Sequence, residues 1–214
     1  IKGMATWFVI RASERGFSGR VPHDDLIVAM NPATFLEDLT YLPEGGVVFY
    51  ADHISLPEDI RQDLILYPMP IKELMKSLTV DRDFRDFTEN MLYVGVVGQV
   101  LGIPREIIRT ALESHFASKP AVAETNFQTI TLSYDWAEKN LVKRDRYHLR
   151  QLAPLSDHIF TDGNTAGALG ALYGGLQFCS WYPITPATSM VEAAIEWAPK
   201  LRKDPQTGKM TCAI

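Results

Sequence analysis

The chain of 214 residues contains only two cysteines, Cys179 and Cys212, and no Cys-x-x-Cys pair. Two thiols cannot make an extracellular disulfide framework or close a thiolate metal site, so a metal cluster, where one is needed, belongs on another chain. No apolar run reaches the roughly 18–20 residues of a membrane helix. The N-terminus lacks the basic-then-apolar order of a secretory signal. A cytoplasmic location without a membrane partner is the resulting expectation. Basic excess is missing too. The 21 Lys+Arg are outnumbered by 26 Asp+Glu, giving a net charge of −5, and an acidic balance argues against nucleic-acid partners. Trp7, Trp136, Trp181 and Trp197 form no stripe with basic neighbours, against single-strand stacking. No G-x-G-x-x-G marks a dinucleotide site.

What is present belongs to an ordinary folded protein. Hydrophobic residues make up 46% and charged residues 22%, enough apolar content for one large or two modest domains. In the first half, short apolar runs at 26–30, 47–50 and 64–67 follow turn or charged residues, as do strands covered on both faces. Residues 6–10, rich in β-formers, predict another. Between them, Asn31 and Pro32 predict a helix start, with Phe35, Leu36 and Leu39 facing inward and an end near Leu42. A short helix is expected over 71–78. This alternation predicts an α/β unit with a mostly parallel sheet.

After Asp81 the pattern is helical. Phe87, Met91, Val94, Gly98 and Leu101 fall on one face, and Gly95 and Gly98 offer a smooth surface for close packing. Further helices are expected from Pro104 and over 120–141, with a hairpin around Gly102 and Pro104. Residues 142–150 then carry Lys143, Arg144, Arg146, His148 and Arg150 with little apolar periodicity. They read as a solvated connection between domains or as an anion site.

From Ser156 the character changes. The capping cluster Thr161-Asp162-Gly163-Asn164 introduces a helix with Ala166, Leu169, Tyr173 and Leu176 on one stripe and small residues elsewhere. Tyr182-Pro183-Ile184-Thr185-Pro186 then leads into a helix over 186–201. Pro186 suits the first helical position, which makes Thr185 the N-cap. The amides of Ala187 and Thr188, with the Thr185 hydroxyl, would then face one spot suited to a carboxylate or phosphate oxygen. The alternative is a plain cap with no ligand.

Gly163-Asn164-Thr165-Ala166, the small-residue helix with Gly170 and Gly174, and Tyr182-Pro183-Ile184-Thr185-Pro186 closely resemble the α subunit of 2-oxoacid:ferredoxin oxidoreductases. There the pattern is G-N-E-A followed by Y-P-I-T-P-S-S. The stretch from Gly3 through Arg11 and that from Asp25 through Pro32 resemble the γ domain preceding α in fused γ–α subunits of the 2-oxoglutarate or broad 2-oxoacid type. The resemblance implies a Rossmann-like γ domain over 1–141, a linker over 142–155, and over 156–214 the beginning of a domain that binds the pyrimidine ring of thiamine diphosphate.

It further implies oxidative decarboxylation of a 2-oxoacid, with electrons passing to ferredoxin and the acyl group to coenzyme A. Thiamine diphosphate with Mg²⁺ and an iron–sulfur cluster would be held mostly by a partner β subunit, in a hetero-oligomer. Thr185 would contact the substrate, and Tyr182, Pro183, Ile184 and Pro186 would shape the pocket. Thr165 departs from the family glutamate, and Ala187-Thr188 from its serine pair. The family's catalytic glutamate follows the Y-P-I-T-P helix on the next strand, which 210–214 would begin. The chain is therefore expected to be a piece lacking both the γ start before Ile1 and the glutamate beyond Ile214, inactive alone. No catalytic residue and no metal ligand is assigned within it: His23-Asp24-Asp25 reads as a turn, and the histidines have no evident nucleophile partner. A non-catalytic assembly module and an indolepyruvate-type thiamine enzyme are the alternative readings.

Overall fold

Residues 5–16, 19–80, 82–152 and 159–214 are described by the computed structural model. The chain divides into two units, Ile1–Leu152 and Ala153–Ile214.

In the first unit, β1 (Leu26–Ala29), β2 (Val47–Ala51) and β3 (Ile65–Met69) form a parallel sheet in the order β1-β2-β3. Leu26 sits opposite Val47, and Val47 opposite Ile65. The middle run is a strand buried on both faces, as alternation along β2 makes plain, while the flanking β1 and β3 are only partly buried. Val47, Phe49 and Ala51 face a core with Tyr67, Met69 and helix residues such as Leu92 and Val96. Val48 faces a second core with Ala29, Phe35, Leu39 and Leu64. The β2–β3 crossover contains no helix.

Helix α1 is short, Phe35–Leu39, with Thr34 as its N-cap. Asn31, expected to cap it, instead accepts from the Ala33 amide at 2.9 Å in an Asx turn. Leu36, expected inward, is exposed. Arg61 holds the far end of this helix, donating to the carbonyls of Leu39, Leu42 and Pro43 and to Asp63. Helix α2 (Ile71–Lys76) follows β3 directly, and a 3-10 turn, Arg82–Phe84, leads into α3 (Arg85–Val100). Next come α4 (Arg105–His115) and α5 (Pro120–Asn140).

The buried face of α3 is not the expected stripe. Leu92, Tyr93, Gly95, Val96, Gly98 and Val100 are buried, whereas Phe87 and Val94 are exposed. Glycine decides this. A Cβ on Gly95 would lie 2.0 Å from Ser133 Oγ and 2.4 Å from the Ile130 carbonyl oxygen. Helix α5 thus approaches the α3 backbone itself, and the close helix pair is α3 with α5 rather than α3 with its neighbour α4.

Residues 6–10 form no strand. Strand propensity expresses fit to a pleated, half-buried surface. Here Phe8 is 91% and Ile10 80% exposed, while the Trp7 indole N–H donates to Asp38 at 2.6 Å. The basic stretch is exposed at all five basic residues, as a solvated connection would be, but it is also tied to the sheet. The buried Tyr67 hydroxyl donates to Asp145 at 2.7 Å and accepts from the Arg144 amide at 2.6 Å. The Arg144 guanidinium donates to the Leu66 carbonyl on the sheet's open edge, and the Leu149 amide to Leu101 O. A buried phenol needs hydrogen-bond partners, and this segment supplies them.

The second unit contains α6 (Gly163–Tyr173) and α7 (Ala187–Leu201), packed together through Ala168 and Leu172 of α6 and Val191, Ala194 and Ala198 of α7. The stripe expected on α6 faces elsewhere: Tyr173 is 75% exposed. Small residues form the contact instead, because they admit the neighbouring helix. Residues 210–214 contribute two isolated bridges, Phe178 with Ala213 in parallel and Lys203 with Met210 antiparallel, rather than a strand. Arg202 Nη2 ties the end of α7 to the Leu176 carbonyl at 3.2 Å. His158 and Ser156 lie outside the described residues.

Candidate functional site

The motif-bearing segments of the second unit are brought together at the N-terminal ends of α6 and α7. Asp162 caps α6, accepting from the Thr165 amide at 2.9 Å and from the Thr165 hydroxyl at 2.7 Å. The Thr165 hydroxyl, then its amide, hold the Asp162 carboxyl below the usual carboxylate range. Thr165, which departs from the family glutamate, is thereby used to close the helix entrance. One residue earlier, Asn164 Nδ2 donates to the Pro186 carbonyl at 3.1 Å and to Ser189 Oγ at 2.7 Å. Glycine permits the two helices to meet here: a Cβ on Gly167 would lie 3.3 Å from the Met190 methyl.

The start of α7 corrects the expected cap. Pro186 is the N-cap and Ala187 the first helical residue, with no side-chain cap hydrogen bond. Both amides expected to face an anion are engaged, since Ala187 N and Thr188 N donate to the Ile184 carbonyl at 2.9 and 3.2 Å. A turn of chain doubling back over Ile184 therefore competes with any ligand for these donors. Thr185 precedes the cap, and the hydroxyl-plus-amide anion cradle derived from helix geometry is absent in this form. Thr185 itself is exposed, together with Tyr182, Pro183, Ile184 and Pro186.

This loop presents the Tyr182 phenol, two prolines, an aliphatic side chain and the Thr185 hydroxyl. Its donor set suits apolar contact with the flat ring of a cofactor and one hydrogen bond to a small acid. It contains no carboxylate, imidazole or amine. Cys179, half-buried, donates its amide to Ala213 O at 2.9 Å and lies in the bridge that backs the loop.

In the first unit, the carboxyl edge of the sheet borders a cavity of about 320 Å³ lined by Asp52, Pro68, Met69, Pro70, Trp136, Asn140 and Leu141. Ligands of open parallel sheets bind at this edge. Asp52 is committed to the Lys72 amide at 3.1 Å, an N-terminal contact on α2. Beside it, His53 Nε2 lies 3.3 Å from Met30 O and Nδ1 lies 4.0 Å from Glu89. Asp52-His53, directly after the apolar strand β2, is the sequence signal for this edge. The nearby Tyr93 hydroxyl is pushed up by burial, with Glu89 and Asp52 adding to the effect.

Three of the five basic side chains of the stretch 143–150 are engaged within the first unit, while Arg146 and His148 are exposed. Lys143 pairs with Asp145 at 2.9 Å, Arg150 with Glu14 at 2.5 Å, and Arg144 is spent on the sheet edge. Burial alone would raise the Asp145 carboxyl, but hydrogen bonds from Tyr67, Lys143 and the Tyr147 amide outweigh it and hold the group below its ordinary value. Among the described residues no group of three or more His, Cys, Asp or Glu side chains is placed to hold a metal ion, and no helix is long and apolar enough to cross a membrane.

Comparison with known proteins adds the following. The family described as pyruvate ferredoxin/flavodoxin oxidoreductase matches residues 1–136. The 2-oxoacid:ferredoxin oxidoreductase 1 subunit alpha of Sulfurisphaera tokodaii is 28% identical over 152 residues, 69% of this chain and 23% of that protein. The 2-oxoacid:ferredoxin oxidoreductase subunit alpha of Saccharolobus solfataricus is 27% identical over 187 residues, 86% of this chain and 28% of that protein. Among solved structures, the 2-oxoglutarate:ferredoxin oxidoreductase of Magnetococcus marinus, with 2-oxoglutarate, coenzyme A and succinyl-CoA bound, superposes with a TM-score of 0.70 at 25% identity, covering 88% of this chain and 32% of that one. The chain thus spans under a third of the length of each of these relatives.

Proposed function

Because the chain belongs to the pyruvate ferredoxin/flavodoxin oxidoreductase family, we propose that it forms the γ region and the first part of the α region of a fused 2-oxoacid:ferredoxin oxidoreductase subunit. The observation that carries this reading is the extent of likeness. An alignment of 187 residues is longer than either unit, so one relative's subunit alpha matches parts of both in the same order. The reaction is oxidative decarboxylation of a 2-oxoacid to an acyl-CoA, with ferredoxin taking the electrons. 2-Oxoglutarate is the favoured substrate, on the strength of the Magnetococcus enzyme's name.

In the assembled enzyme, thiamine diphosphate would supply the carbanion chemistry that breaks the bond to the carboxylate. The exposed Tyr182, Pro183, Ile184 and Pro186 would form one wall of its site and exclude water there. The Thr185 hydroxyl would donate to the 2-oxoacid and orient it. A partner subunit β would cover this loop and carry the Mg²⁺ and iron–sulfur cluster, so the protein acts as a hetero-oligomer in the cytoplasm.

A second reading, an assembly module without a substrate role, draws on the exposed apolar surface of the same unit, including Phe160, Tyr173, Phe178 and Tyr182. Such a surface asks for a covering partner in either case. The two readings separate on Thr185→Val in the full complex, assayed with 2-oxoglutarate, coenzyme A and an artificial electron acceptor. Loss of one substrate hydrogen bond is expected to raise KM or lower kcat about tenfold or more. An enzyme with unchanged constants would leave only the assembly role. Screening pyruvate, branched-chain and aryl 2-oxoacids against 2-oxoglutarate decides substrate class, including the indolepyruvate alternative.

A further inference from the structure

The substrate loop has no side-chain cap of its own, yet it must hold the Thr185 hydroxyl in place for the function proposed above, on which this inference rests. Its end, where α7 begins, is held from outside. Asn164, on the first turn of α6, spends its carboxamide N–H₂ on two acceptors of the other segment: Pro186 O at 3.1 Å and Ser189 Oγ at 2.7 Å. The first contact fixes the peptide plane that follows Pro186, one residue from Thr185. The second fixes the azimuth of the first turn of α7. Two bonds from one planar group determine both position and rotation, which a single bond cannot do. The anchor itself is rigid, because Asp162 and Thr165 close the cap of α6 around it, and Gly167 lets Met190 come close alongside.

The residue type matters. A carboxylate of the same shape has no N–H to donate, and its lone pairs would oppose those of the Pro186 carbonyl. Serine offers a single donor on a shorter stem.

We propose that Asn164 is a positioning residue for the 2-oxoacid, setting the Thr185 hydroxyl through Pro186 and Ser189 without touching the substrate. A displacement of the order of 1 Å at a reacting group can cost about a hundredfold, so a clamp of this kind is felt at the site even though it lies behind it.

The test uses the full complex and four variants: Asn164→Asp, Ser189→Ala, Thr185→Val and the double variant Asn164→Asp with Thr185→Val. Asn164→Asp is expected to raise the 2-oxoacid KM about tenfold while the coenzyme A KM stays unchanged. Ser189→Ala, which removes one of the two acceptors, is expected to give a smaller rise of about threefold, and it is the variant read if Asn164→Asp fails to assemble. Because Asn164 acts through Thr185, the double variant should be no worse than Thr185→Val alone. Multiplying effects, or KM values for both substrates rising together, would indicate general loosening and overturn the proposal. Thr185→Val raising KM while Asn164→Asp and Ser189→Ala do nothing overturns this inference and leaves the functional reading standing. A silent Thr185→Val overturns both.

Discussion

Removing one oxygen atom, in Tyr67→Phe, tests how the segment after α5 is held to the sheet. Tyr67 is 1% exposed and its ring stacks on Phe49 at a centroid distance of 4.9 Å. The substitution keeps that stacking and the apolar burial. It removes the donor to Asp145 at 2.7 Å and the acceptor for the amides of Arg144 at 2.6 Å and Asp145 at 3.2 Å. The Asp145 side chain is 1% exposed and keeps Lys143 and the Tyr147 amide. One charge-assisted bond is worth about 1.5–3 kcal/mol and each orphaned amide about 1 kcal/mol or more, with overlap among them. A loss of about 3 kcal/mol is expected for the first unit, a fall of roughly 6–12 °C in Tm for a unit of this size. Urea denaturation followed by circular dichroism measures the loss, and hydrogen exchange at Leu66 and Leu149 locates it. A change below about 0.5 kcal/mol, within ordinary surface scatter, would refute the claim that this phenol docks the segment.

The same knot carries a pH dependence. The Asp145 carboxyl is held below its ordinary value, so its contribution is present above the unfolded carboxylate pKa of about 4 and is lost as pH falls through the lower folded value. Stability measured from pH 6 down to pH 2 should show this loss, and Asp145→Asn should flatten that part of the curve. Gly95→Ala gains about 1 kcal/mol of helix propensity, but a Cβ 2.0 Å from Ser133 Oγ forces α3 and α5 apart. Overpacking of about 3 kcal/mol or more should prevail. Ser133→Ala should rescue it only in part, because the Ile130 carbonyl oxygen remains 2.4 Å away, and a Tm series decides it. Arg61→Ala should speed amide exchange across 40–46, since the guanidinium holds the carbonyls of Leu39, Leu42 and Pro43. Lysine should fail to restore protection, lacking the planar fork.

Much of the α/β architecture was legible without coordinates. Apolar runs at 26–30, 47–50 and 64–67 became β1, β2 and β3, because a sheet covered on both faces, fully at β2 and partly at β1 and β3, favours apolar residues at consecutive positions. The motif residues Asn164 and Tyr182 through Pro186 were legible as a set, and the family they suggested matches residues 1–136. The close packing expected at Gly95 and Gly98 is present, α5 meeting α3 at the former, but the helix faces expected from large side chains are not the buried ones. A stripe of large apolar side chains picked Phe87 and Tyr173, whereas α3 and α6 pack through Gly95 and Ala168, whose small size carries no hydrophobic signal but admits a neighbouring backbone.

By itself, then, the sequence determined the parallel sheet and set apart the run 182–186, since local periodicity, turn chemistry and exact residue runs suffice for these. The tertiary structure alone decided that the basic stretch seals a sheet edge, that the Ala187 and Thr188 amides turn back to Ile184, and that Asn164 anchors the start of α7. The first and the last depend on which distant donor reaches which acceptor, and hydrogen bonds act over about 3 Å, a distance that residues 22 to 78 positions apart acquire only when the chain has folded. The turn over Ile184 spans only three and four residues and is set by how the chain enters α7.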